Sequence, residues 1–120
     1  MGKKVSTFNS QRVKTLSIAE FDKITGFDLE AAVQGCYGQA ELGRKGKPRG
    51  EKEEEEAREW FLFHASQRMR WLAANRPSVR KNLKSADGGD YLEEWLIHWA
   101  RAYLVNPKLY QEEHAHDLWK

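Results

Sequence analysis

Between Gly50 and Pro77 the chain carries neither glycine nor proline. Within that stretch Ala57, Phe61, Ala65, Met69 and Leu72 recur at the spacing of one helical face, and Trp60, His64 and Trp71 widen it. The run Glu53 to Glu56 stands where acids favour the positive end of a helix macrodipole. Pro77 forbids continuation. The spacing predicts a helix from about Lys52 to Asn75, the longest of the chain. Such a helix must bury its apolar face against other helices, because the two-residue alternation of a half-buried strand is sustained nowhere in the sequence.

The remaining segments supply those helices. In "LSIAEF" Ser17 and Glu20 form a capping box, and Leu16 with Phe21 matches a hydrophobic staple. Ile18, Phe21 and Ile24 give one stripe, and Gly26 ends it. Asp28 caps the next helix, where Leu29, Ala32, Val33, Cys36, Tyr37 and Ala40 share a face until Gly43. Gly35 and Gly38 weaken this helix by about 1 kcal/mol each relative to alanine, so close approach of another helix is expected there. A short basic helix is predicted over about Pro77 to Ser85. "ADGGD" reads as a turn, and Asp90 as the cap of a helix with Glu93 as its capping-box partner and Leu92, Trp95, Leu96, Trp99, Ala102 and Tyr103 inward. Asn106 and Pro107 open a last short helix, with Tyr110, His114 and Leu118 facing in. The expected architecture is all-α, a compact bundle of five or six helices. An extended basic arm (residues 1–15) precedes a single helical domain (16–120), which contains a basic glycine-rich loop.

At 120 residues the chain can close one core without staples. One cysteine excludes an internal disulfide and fits a reducing compartment. No apolar run reaches membrane-spanning length, and no signal-peptide pattern opens the sequence. A cytoplasmic protein is expected.

The formal charge of +2 conceals blocks. Residues 1–19 carry +4, 20–43 carry −4, 44–50 carry +4, 51–60 carry −4, 61–86 carry +6 and 87–120 carry −4. The block from 61 to 86 contains no acid at all. Its cations are Arg68, Arg70, Arg76, Arg80, Lys81 and Lys84, with Trp71 among them. Cations of this kind neutralise phosphates or meet an acidic protein surface, and an exposed tryptophan beside arginine is hot-spot chemistry. The competing reading is a solvated face paired with the acidic helix that follows. The loop residues Arg44, Lys45, Lys47 and Arg49 form a second basic group.

Lys45-Gly46-Lys47-Pro48, followed by Arg49, resembles the Arg-Gly-Arg-Pro core of an AT-hook. That resemblance implies minor-groove contact, although lysines replace the arginines that narrow grooves favour. "IAEFDKITGFDLEAAV" has the outline of a helix-turn-helix. However, Asp22 occupies a position of close packing, and its second helix carries Asp28 and Glu30 with no cation to meet phosphate. A helical hairpin is the reading retained.

Catalytic and metal signatures are sparse. Cys36 lies on an apolar stripe. His64 and His98 are isolated on faces read as apolar. His114 and His116 diverge if they lie on one helix. The glycines from 43 to 50 lack the ending of a phosphate loop. No cofactor or metal is expected. The leading expectation is a non-catalytic binding protein that docks on a protein or nucleoprotein assembly as an accessory or inhibitory factor, in the style of those encoded by phages and mobile elements. Direct nucleic-acid binding by the 68–84 segment and the 44–49 loop is the alternative. A small enzyme using histidines and carboxylates is the third.

Overall fold

The computed structural model describes residues 15–44 and 50–114. These form six helices and no strand: α1 (Ile18–Thr25), α2 (Leu29–Leu42), α3 (Glu51–Asn75), α4 (Pro77–Leu83), α5 (Gly88–Val105) and α6 (Pro107–Glu113). Residues 1–14 of the arm, the loop residues Lys45, Lys47 and Arg49, and the tail from 115, with His116 and Leu118, lie outside the described residues.

The local chemistry at the starts of α1, α2 and α6 is as expected. The Glu20 amide donates to Ser17 Oγ at 3.0 Å, and the Ser17 amide donates to Glu20 at 2.8 Å. Gly26 ends α1 with φ of 82°, a left-handed conformation that glycine adopts without strain. Asp28 accepts from the Ala31 amide at 3.2 Å, and Asn106 from the Leu109 amide at 3.1 Å. Asp22, out of place for a DNA-reading motif, has a local task. Its carboxylate accepts from the Leu29 amide at 3.1 Å and so pins the start of α2 to α1.

The core sits among α2, α3 and α5. Tyr37 and Phe61 rings lie 5.1 Å apart, and Tyr103 donates its hydroxyl proton to the Ala57 carbonyl at 2.7 Å. The pairings 37 with 61 and 41 with 58 run α3 antiparallel to α2. The pairings 61 with 103 and 68 with 99 run it antiparallel to α5. Consequently α2 and α5 are parallel, with Phe27 beside Gly89 at one end and Ala40 beside Leu104 at the other. Phe21, Val79 and Leu83 bring α1 and α4 onto this core.

Three expectations are corrected. First, α5 starts at Gly88 rather than after Asp90, and neither aspartate side chain caps it. Gly88 is buried against the end of α4, where an added Cβ would fall 2.0 Å from the Leu83 carbonyl oxygen. Only glycine permits that approach, and the helix begins there. Second, among the described residues Gly35 and Gly38 face no neighbouring helix. A Cβ at either meets nothing within 4 Å. Third, on α5 both His98, read on an apolar face, and Ala102, read as inward, are exposed, while His64 is half-buried as read. Among the tryptophans expected inside, Trp99 is buried and Trp95 is half-buried. Among the described residues, no helix is long and apolar enough to cross a membrane.

Candidate interaction surface at the basic end

The acid-free block splits in two. Its first part belongs to the body of the molecule. The Arg68 guanidinium lies 4.8 Å from the Trp99 ring centroid, and its Nη1 donates to the Tyr110 hydroxyl at 3.4 Å. Arg70 Nε donates to the Ser66 carbonyl at 3.3 Å and to its Oγ at 3.2 Å, and Nη1 donates to the Leu16 carbonyl at 3.2 Å. Burial lowers the pKa of Arg70. Trp71 is 8% exposed, and its indole N–H has no hydrogen-bond partner among the described residues. It therefore offers its ring to neighbours inside the protein and not to an incoming base.

The second part forms a surface. The Arg76 amide donates to the Leu72 carbonyl as α3 ends, and Pro77 restarts the chain as α4. Val79 and Leu83, one turn apart, face the core. That fixes Arg76, Lys81 and Lys84 outward and leaves Arg80 half-buried at the margin. Arg76 is 5.7 Å from the Trp71 centroid, a cation–π distance. Among the described residues, none of these four cations forms an ion pair. The anticipated pairing with the acidic helix is thus not made by described residues, and all four charges stand at one end of the bundle.

Arg44 behaves differently. Its Nη1 lies 3.1 Å from Glu54 Oε1, in a pair whose side chains are 17% and 14% exposed. One turn further along, Arg58 meets Glu41 at 3.4 Å. Together they bind the end of α2 to the start of α3. This first residue of the loop group is a folded contact.

The histidines and the cysteine are spread out. His64 stacks on Trp60 at 4.0 Å, and burial lowers its pKa. His114 lies 4.2 Å from the Tyr110 ring. Burial, with the Glu93 charge behind it, pushes the Cys36 thiol up to about 11, so it is protonated at neutral pH. Among the described residues, no three His, Cys, Asp or Glu side chains are grouped to hold a metal ion.

The helical period carried a signal for Arg68 that the charge pattern obscured. It falls seven residues after Phe61 and three after Ala65, on the buried stripe. No comparable signal marks the tertiary cover over Trp71. Comparison with known proteins finds no matching family model, no matching curated protein and no matching solved structure.

Proposed function

We propose that this chain is a non-catalytic helical binding protein of the cytoplasm that docks on a protein or nucleoprotein assembly as an accessory or inhibitory factor. The observation that supports this reading best is the group Arg76, Arg80, Lys81 and Lys84 on and around one short helix, without an ion pair among the described residues. Cations left unpaired at one end of a bundle raise the local potential and steer an acidic partner onto it. The test is affinity capture from the native host with mass spectrometry, followed by the variant R76E/R80E/K81E. The partner should be lost while the melting temperature is kept. Retention of the partner by the variant sinks the reading.

The same four charges favour a second reading, direct nucleic-acid binding, with the 44–49 loop as a second contact through Lys45, Lys47 and Arg49, since Arg44 is paired with Glu54. Fluorescence titration with short duplex and single-stranded oligonucleotides at two salt concentrations separates the two. Each phosphate contact steepens the dependence of log K on log salt by about 0.7 to 0.9. Absence of binding at low salt removes this second reading and leaves protein docking open.

A further inference from the structure

A second surface lies on the α2–α3 seam, away from the basic end. On one side α5 covers this seam. On the other side, among the described residues, only α1 does, and α1 is about 12 Å long against about 37 Å for α3. What α1 leaves open is a groove of about 330 Å³, lined by Ile18, Val33, Leu62 and Phe63 with Glu30 on one wall and Glu59 on the other. Phe63 is 60% exposed, high for a phenylalanine beside a concave apolar surface. The lining positions 59, 62, 63, 66 and 70 of α3 recur at helical spacing and form a second stripe beside the buried one. From 59 to 70 this stripe runs about 16 Å, three turns of helix.

The charges around the groove select its occupant. Arg70 closes one end and spends its guanidinium on Ser66 and Leu16. Glu30 is near enough to favour the Arg70 charge. At the other end Glu59 forms no ion pair among the described residues, and Glu55, exposed one turn earlier, extends the acid rim. We infer that this groove receives an amphipathic helix from a partner protein, which lays an apolar stripe on Phe63 and Leu62 and sets a lysine or arginine against Glu59. The guest occupies the place of a fourth long helix in the bundle, the helix-in-groove mode of recognition.

The test pans a displayed library of random 16-residue peptides against the full chain and measures recovered peptides by fluorescence anisotropy. Recovered sequences should share apolar residues at helical spacing with at least one Lys or Arg. Phe63→Ser and Glu59→Lys should each weaken binding about tenfold, equivalent to about 1.4 kcal/mol. Both positions are exposed, so circular dichroism should confirm unchanged folding, and Lys84→Gln at the basic end should leave affinity unaltered. The inference is overturned by recovery of no peptide, by acidic or unpatterned peptides, or by affinities indifferent to the two variants. Binding that appears only after deletion of residues 1–14 overturns it too and assigns the groove to this chain's own N-terminus. A concentration-dependent dimer abolished by Phe63→Ser assigns it to a second copy.

Discussion

The two ends of the bundle treat their charged side chains in opposite ways. At the end where α2 stops and α3 begins, Arg44 reaches Glu54 and Arg58 reaches Glu41, so charges of both signs close into contacts that join two helices. At the end where α3 stops and α5 begins, Arg76, Arg80, Lys81 and Lys84 meet no acid among the described residues. The length of α3, about 37 Å, separates the two ends by several Debye lengths at physiological salt, so neither screens the other. The contrast teaches where to look for function. Charge that the fold has consumed stabilises the fold, and charge that it leaves unpaired is available to something else.

The comparison breaks most sharply at the junction that aims the basic end. Gly88→Ala drives a Cβ into the Leu83 carbonyl, at a separation of 2.0 Å before relaxation. The expected loss is about 3 kcal/mol in urea unfolding, with α4 displaced. A variant as stable as the parent would show that the approach of α5 to α4 is not tight.

Two buried tyrosines sharpen the end where α2 stops and α3 begins. Tyr103 donates to the Ala57 carbonyl at 2.7 Å and accepts from Gln111 at 3.0 Å, whereas the Tyr37 hydroxyl has no partner among the described residues. Tyr103→Phe removes a buried hydroxyl bonded to both the Ala57 carbonyl and the Gln111 amide, and should cost about 1.5 kcal/mol. Tyr37→Phe removes a desolvated hydroxyl and should be neutral or slightly stabilising. Equal costs by thermal melting would contradict the hydrogen-bond assignment.

The charged residues themselves come next. Glu54→Gln should cost about 1 kcal/mol, since Arg44 is mostly enclosed beside it. Lys84→Gln should change stability by no more than about 0.3 kcal/mol, and at low salt in the favourable direction. The smallest effect belongs to neither end. His64 is stacked on Trp60, and burial holds its pKa below the ordinary 6.5. The folded state favours the neutral ring, so this contribution is complete above pH 6.5 and declines as pH falls below that value. His64→Phe should flatten the stability profile between pH 7 and 5. An unchanged slope assigns the dependence to another group.

Much of the fold was legible because its signals are local. Ser17 with Glu20, Asp28, and Asn106 with Pro107 each announce a helix start through atoms within four residues, and the apolar period names the buried faces of α2 and α3. The start of α5 was not legible, because Gly88 is explained by a carbonyl on another helix. Gly-Gly in isolation reads as turn chemistry. Gly35 and Gly38 failed in the reverse direction, since an expected tertiary reason is missing. Of the candidate surface, the cations of α4 were legible as charge. The division between them and the engaged Arg68 and Arg70 needed the angle of each around α3. The groove at Phe63 was hidden for the same reason, being a gap between helices and not a pattern within one.

The parallel arrangement of α2 and α5 has a consequence in time as well as in space. Antiparallel α2 and α3 are joined by a connection of about 8 residues, whereas about 45 residues, α3 and α4 with their connections, separate the end of α2 from the start of α5. Closing the longer loop costs about 1.5 kcal/mol more chain entropy than closing the shorter. The shorter loop therefore favours early pairing of α2 with α3 through Tyr37 on Phe61, and φ-values near α5 are expected to be lower than those at this contact.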